Sequence, residues 1–384
     1  MDFVETDEQL MLREAVSKIA RTYGHDYFVE QARAGLKGQE LWDDLSAHGF
    51  IGVNVPTEHG GGGMGIAELA IVEEECSAAG CPLLVLLVSS AICATVIDRF
   101  GNQEQRERWL PDIASGRSKM AFAITEPDAG SNSHQISTVA TRDGDGYRLD
   151  GTKYYISCVD EAEAMVVVAR TGVNEQTGRA ELSLFVVDAD AEGLTRQVIP
   201  VEIVTTELQF TLFFDEVHLA PDRLIGGEGG GMAPLFAGLN PERILSAALL
   251  NGAARYALEK ASAYANDRQV WGVPIGSHQG IAHPLAKAKV DVELARLMTA
   301  KAAWLFDAGL DAGEASNMAK FSAADAALAA LDQAMQTHGG NGMATEYGLA
   351  TMWGMVRLLR IAPVSREMIL NYVAQHSLGL PRSY

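Results

Sequence analysis

Cysteine, positive charge and long apolar runs are all scarce in this chain of 384 residues. The four cysteines, Cys76, Cys81, Cys93 and Cys158, show no CxxC spacing, so reduced thiols in a cytoplasmic protein are the expectation. Lys and Arg number 30 against 50 Asp and Glu, giving a formal net charge of −20, which argues against nucleic acid or an anionic membrane as partner. The most apolar stretch, Cys81–Ile97, is interrupted by Pro82, Ser89, Ser90 and Thr95. It falls short of the about 20 apolar residues that a membrane span needs, so a buried core helix is expected there. The opening residues Met1–Glu5 offer neither a basic nor an apolar segment, so no secretory signal is expected. His278 and His283 are five apart, not the i,i+4 pair of a helical metal site, and no metal is expected. Ser131 sits in Ala129–Gly130–Ser131–Asn132–Ser133, which is not the GxSxG elbow of a serine nucleophile.

The composition is otherwise that of a globular protein, 48% hydrophobic and 21% charged, and the length suggests two or three domains. Residues 1–119 read as helical, with apolar positions at helical spacing in Leu10–Ala20, Leu41–His48, Ile66–Ala79, Leu83–Phe100 and Gln103–Ala114. Residues 120–235 change texture. Short β-rich runs at Ala121–Thr125, Tyr147–Leu149, Tyr154–Ser157, Met165–Ala169, Leu182–Val187, Thr195–Val201 and Glu207–Val217 are separated by turn signals such as Asp143–Gly146. In 236–384 helices return, over about 242–266, 279–311, 314–338 and 364–376, with connections suited to an antiparallel bundle.

Glycine clusters stand at 60–63, 226–231 and 339–342. None follows a strand and opens a helix, so a Rossmann reading fails on context. The cluster at 339–342 ends a long helical run, where glycines can cap a helix or bring backbone N–H groups to a phosphate.

Four segments carry more in combination than singly: Ala123–Ser131 (AITEPDAGS), Gly151–Ser157 (GTKYYIS), Asp267–Gly272 (DRQVWG) and Gln336–Gly342 (QTHGGNG). In this order and spacing they resemble the acyl-CoA dehydrogenase family of flavoenzymes, from about residue 5 to about residue 377. The resemblance implies an α+β fold: an N-terminal helical domain, a small central β-barrel or sandwich, and a C-terminal antiparallel four-helix bundle. It also implies FAD, an acyl-CoA substrate, electron transfer to an electron-transferring flavoprotein, and a homotetramer built as a dimer of dimers.

On that resemblance, Phe122, Ile124, Thr125, Ser131, Tyr155 and Ser157 are expected around the flavin from the β-domain. Tyr155 and Ser157 stand where tryptophan and threonine are usual. Arg268, Trp271 and Gln279, with Gln336, Gly339 and Gly340, are expected to reach the FAD of a neighbouring subunit, the Arg268 fork pairing with pyrophosphate. Ser365 and Glu367 complete the expected cofactor set, and Ser131, Asn240 and Arg243 the substrate side.

The family reaction needs a carboxylate to take an α-proton. Counting from Gly339–Gly340, the glutamate that most members use falls on Pro363, which has neither carboxylate nor N–H. The isovaleryl-CoA and long-chain branches carry the base instead just before an arginine, where this chain reads Leu239–Asn240–Pro241–Glu242–Arg243. Glu242 is the expected base and Glu367 a second candidate. Residue chemistry alone also allows a helix start there, with Asn240 as N-cap, Pro241 in the first position and Glu242 favouring the helix dipole. Two other functions share these motifs: a flavin oxidase or atypical thioester flavoenzyme, and a non-catalytic acyl-CoA-binding subunit. The helices near 80–100, with Leu86, Leu87, Ser89 and Ala91, and near 236–250 are expected to set pocket depth.

Overall fold

A computed structural model describes residues 4–176 and 178–383. The N-terminal region is helical: α1 (Asp7–Ala34), α2 (Gln39–Ala47), α3 (Ile66–Ala78), α4 (Ala94–Phe100) and α5 (Gln103–Ala114). Side chains set their starts. Thr6 and Gln9 form a reciprocal capping box at α1, and Asn102 and Gln105 another at α5. The first N–H groups of α3, on Ile66 and Ala67, donate to the Asp307 carboxylate at 2.8 and 2.9 Å, which ties this helix to a distant one. The expected apolar helix is present, but its middle, Leu86–Cys93, winds in π turns before continuing as α4. Its irregular start and turns draw on side chains. Glu73 accepts from the Leu83 N–H, Glu207 from the Val85 N–H, and Asn54 donates to the Ser90 carbonyl.

The middle of the chain forms one eight-stranded sheet. Its strands are β1 (Met120–Ala123), β2 (Val139–Asp143), β3 (Gly146–Ser157), β4 (Ala164–Val173), β5 (Ala180–Asp188), β6 (Leu194–Ile199), β7 (Gln209–Leu219) and β8 (Leu224–Ile225). The order is β6-β7-β3-β2-β4-β5-β8, with β1 pairing parallel to β4. The sheet curls round its own core. Tyr147 of β3 meets Phe185 of β5 edge to face, 4.9 Å between centroids, although β2 and β4 separate those strands in hydrogen-bonding order. The opposite face, including Val166, Val168, Leu184 and Val186, packs against helical residues such as Ile97, Leu110 and Ile113. Strand β4 is therefore apolar on both faces, which is why Ala164–Ala169 reads as an unbroken hydrophobic run.

The runs Tyr147–Leu149 and Tyr154–Ser157 prove to be one strand, β3, paired to β7 with register shifts between Leu149 and Gly151 and between Lys153 and Ile156. Strand β2 carried no expectation, because Val139–Asp143 has too few apolar positions to announce itself.

The C-terminal helices are α6 (Met232–Asp267), α7 (Gln279–Asp307), α8 (Gly313–His338), α9 (Trp353–Ile361) and α10 (Arg366–His376). A two-stranded hairpin, β9 (Gln269–Val270) and β10 (Val273–Pro274), joins α6 to α7. Helix α6 begins ten residues before the expected 242, so Asn240 and Pro241 lie inside it. The helix-start reading of Asn240 and Pro241 is thus overturned, because buried Leu235 and Gly238 extend the packed face upstream. Small residues along α8, including Ala319, Ala323 and Ala327, let it lie close against α6 and α7. Among the described residues no helix is long and apolar enough to cross a membrane.

Candidate active site

The AITEPDAGS segment leaves β1 and is fixed by a buried ion pair. Lys153 Nζ lies 2.9 Å from Glu126 Oε1 and also donates to the Ile124 carbonyl at 3.0 Å. The same carboxylate accepts from the N–H groups of Ser137 (2.6 Å) and Thr138 (2.9 Å) and from the Ser137 hydroxyl (2.7 Å). Burial would raise the Glu126 carboxyl, but Lys153 and these donors hold it down at about 2. The Tyr154 N–H donates to the Thr125 carbonyl at 2.8 Å, so Thr125 is tied to the next strand.

The bulge in β3 explains how an aromatic side chain is left open here. Between Lys153 and Ile156 an irregular register puts Tyr155 at φ 57° and leaves it 53% exposed, while Lys153 and Ile156 stay buried. Ser157 donates its proton to Gln209 Oε1 at 3.0 Å, which leaves its oxygen free to accept. Phe122 is buried in β1, Ile124 and Thr125 are half-buried, and Ser131 is exposed beyond the clamp.

Glu242 lies on the part of α6 that faces the π-helical segment. Its side chain is partly open, and among the described residues it makes no hydrogen bond or ion pair. Burial raises its carboxyl to about 7, against the lowering pull of Arg243 and Lys320. Its charge also helps to raise the thiol of buried Cys93, whose Sγ lies 3.3 Å from the Ala121 carbonyl of β1. The carboxyl thus acts at the seam where α6, the π turns and β1 meet. Half-open apolar side chains at this seam are Val88, Ile124 and Leu239. Of the residues expected to set pocket depth, Leu86, Leu87, Ser89 and Ala91 are all buried, and Ser89 Oγ accepts the Met120 N–H at 3.1 Å.

Asn240 does not cap. Its Oδ1 accepts from Arg243 Nη1 at 3.0 Å and from the Ser316 hydroxyl at 3.2 Å, so the arginine next to Glu242 is fastened to α8. One turn further along α8, Lys320 is fully enclosed and donates to the Val364 carbonyl at 2.5 Å. Pro363 is exposed in the corner between α9 and α10. Ser365 is the N-cap of α10, accepting from the Met368 N–H at 3.2 Å, and Glu367 is exposed in the first turn. The sequence reading missed Lys320, Ser316 and Val88. A signal for Lys320 existed: it falls in the alanine stripe of α8, where a solvated lysine does not belong.

The second expected cofactor group gathers at one end of the helical bundle. Tyr264 near the end of α6 stacks on His338 at the end of α8, 4.2 Å between centroids, and Asn341 donates to the Tyr264 hydroxyl. This brings Arg268 to the same end as Gln336, Gly339 and Gly340, while Gln279 opens α7 beyond the hairpin. All are exposed, and Trp271, at the hairpin tip, is 88% exposed with φ 54°. The Arg268 guanidinium has no hydrogen-bonding or ionic partner among the described residues. An unpaired guanidinium fork, an open indole and exposed glycines form a surface that suits an adenine dinucleotide.

Family models match almost the whole chain: the N-terminal domain of acyl-CoA dehydrogenases over residues 6–117, the middle domain over 121–216 and the C-terminal domain over 229–378. The acyl-CoA dehydrogenase FadE12 of Mycobacterium tuberculosis is 53% identical over 384 residues, covering 100% of this chain and 99% of its own. A glutaryl-coenzyme A dehydrogenase solved with glutaryl-CoA superposes with a TM-score of 0.94 at 29% identity, covering 100% of this chain and 98% of that one. The FAD complex of PigA superposes with a TM-score of 0.92 at 27% identity, covering 99% and 100%. With sequence, domain order and architecture in agreement from end to end, the chain belongs to the acyl-CoA dehydrogenase family.

Proposed function

We propose that this protein catalyses the FAD-dependent α,β-dehydrogenation of an acyl-CoA thioester, with Glu242 as general base and an electron-transferring flavoprotein as electron acceptor. The observation that carries the reading is Glu242 itself: an unpaired carboxyl at a mostly enclosed apolar seam, with its proton affinity raised to about 7. A base for a thioester α-proton has to be ionised at working pH yet basic enough to accept; desolvation supplies the basicity, and a value of about 7 still leaves the group largely ionised above neutral pH. When bound, FAD supplies the two-electron acceptor for the β-hydride. Phe122, Ile124, Thr125, Tyr155 and Ser157 hold it from one chain, with Ser365 and Glu367 at the α9–α10 corner. Arg268, Trp271, Gln279, Gln336, Gly339 and Gly340 reach it from a second copy.

Ser131 contacts substrate or cofactor phosphate, and Asn240 and Arg243 keep the base region ordered. Val88 and Leu239, apolar and half open, are proposed to touch the acyl chain. Pro363 has no N–H, so donors to the thioester carbonyl come from elsewhere in the site. The four cysteines, all free and buried, favour a reducing, cytoplasmic setting.

The test is anaerobic bleaching of the visible flavin band by a panel of short, medium, long and branched saturated acyl-CoAs. Bleaching by one class, lost in Glu242→Gln, supports the proposal; an unchanged rate in Glu242→Gln removes Glu242 from the role. Pro363 is the observation that favours an oxidase instead, and oxygen consumption without added acceptor would select that reading. Colourless protein that gains no colour with FAD would select a non-catalytic subunit.

A further inference from the structure

The hairpin between α6 and α7 is built against two preferences at once. Its two-residue loop, Trp271–Gly272, joins β9 to β10 with φ values of 54° and 83°, the left-handed pair of a type I′ turn. Asn, Asp or Gly normally fill the first of these positions, and a bulky aromatic there is a backbone outlier. The same residue puts its indole almost wholly into solvent. Neither backbone sterics nor burial accounts for a tryptophan here, and strain of this kind gathers where ligands bind. Among the described residues one aromatic ring meets the indole: His278, with centroids 5.8 Å apart and planes at 81°, an edge-to-face pair. His278 stands at the N-cap of α7 but makes no capping bond, and its Nε2 is enclosed without a hydrogen-bond partner. A half-buried imidazole that serves neither the helix end nor a buried polar neighbour is held there for something else. Its backbone is firmly placed. The turn before it, Ile275–Ser277, packs near the end of α6 so closely that a Cβ on Gly276 would lie 3.1 Å from the Ala265 carbonyl oxygen. The His278 N–H donates to the Ile275 carbonyl at 3.1 Å, and the Ile275 N–H to the Arg268 carbonyl at 2.8 Å, which closes the base of the hairpin.

Resting on the assignment of Trp271 to the FAD of a second copy, we infer that His278 is a positioning residue for that cofactor: it backs the Trp271 indole, so that the open side of the indole is a ready-oriented platform for the adenine ring. A purine is planar and stacks on an indole without needing any particular hydrogen bond. The left-handed turn carries the side chain outward, and the imidazole behind it limits the rotamer freedom that an exposed tryptophan would otherwise lose on binding. The unpaired Arg268 fork leaves the base of the same hairpin, so residues 268–278 form one unit that offers a cation for phosphate and a braced ring for adenine.

The experiment compares two probes, FAD and FMN, which share the flavin and the ribityl phosphate while FAD alone carries adenine. Each is titrated into the full-length, flavin-stripped protein, and the dissociation constant is read from flavin fluorescence. Trp271→Ala is expected to weaken FAD about ten-fold with FMN unchanged. His278→Leu removes the backing ring and is expected to weaken FAD about three-fold, again with FMN unchanged. The double variant should bind FAD no more weakly than Trp271→Ala, because the imidazole acts through the indole. His278→Phe keeps an aromatic edge and should retain the native selectivity. His278→Gln, polar but without a ring, should lose it as the leucine variant does, and it is the variant to read if the leucine variant does not fold. An unmoved FAD-to-FMN ratio in His278→Gln overturns the inference, and so does an equal loss of both flavins, which would mark a purely structural role. If Trp271→Ala keeps the native ratio, adenine does not lie on this hairpin and the placement of the cofactor has itself failed. If Trp271→Ala lowers the ratio while the histidine variants do not, the His278 inference alone has failed.

Discussion

Lys153 and Glu126 meet at 2.9 Å with essentially no solvent contact, and between them they hold both ends of the segment from Ile124 to Thr138. Burial pushes Lys153 down to about 8, which leaves it charged at neutral pH against a carboxyl held at about 2. Removing one partner strands the other charge, at a cost of roughly 3–5 kcal/mol. Lys153→Met is therefore expected to lower the thermal midpoint by several degrees and to weaken flavin retention, both measurable by a flavin-fluorescence melt. Unchanged melting would mean that the clamp is not what orders this segment.

Glu242 carries a stability cost that follows from its burial. A carboxyl raised from 4.5 to about 7 binds its proton more tightly folded than unfolded, so its contribution to stability falls as pH rises between those values. Each tenfold change in proton affinity is worth about 1.4 kcal/mol, so the cost above neutral pH is capped at about 3 kcal/mol and is smaller for a partly open side chain. Glu242→Gln should melt higher than the native protein at alkaline pH, with the difference closing toward acid. A difference of the opposite sign would show that the carboxylate is stabilised in the fold.

Arg13 of α1, Arg255 of α6 and Arg296 of α7 converge on Glu74 and Glu75 of α3, with Arg255 Nη1 at 2.5 Å from Glu75 and Arg296 Nε at 2.8 Å from Glu74. Burial opposes ionisation of Glu75, but Arg255 and Arg13 hold its carboxyl below the usual range. A depressed carboxyl contributes stability above its unfolded value and loses it as pH falls. Arg255→Met should destabilise by about 3 kcal/mol near neutral pH, judged by urea unfolding, and the deficit should shrink below about pH 4.5.

Helix α7 shows Val290, Leu294, Leu297 and Trp304 along one exposed side, an apolar stripe of the kind that a second copy of the chain would cover. Leu294→Glu combined with Leu297→Glu should lower the mass found by sedimentation. If FAD is shared between copies, the same variant should lose flavin; a smaller particle with native flavin content would refute the shared site.

Much of this protein was legible before folding was considered. Helices such as Ile66–Ala78 and Gln103–Ala114 were readable because apolar spacing is a local property of the chain. The four motif segments identified the family for the same reason, since each is a short contiguous run. Glu242 could be nominated but not distinguished from a helix-start acid. What overturned the helix-start reading is that buried Leu235 and Gly238 carry α6 ten residues further upstream, a matter of packing. Packing alone revealed that Asn240 lies within α6 and binds Arg243, that Tyr155 is extruded by a bulge, and that Lys320 is enclosed on α8 with its Nζ on the Val364 carbonyl. The sequence by itself determined most of the elements, the family and the residue types available for chemistry, because those follow from local pattern. The tertiary structure decided which carboxyl is desolvated and which side chains are fastened around it, because burial and contact depend on distances that no local pattern records.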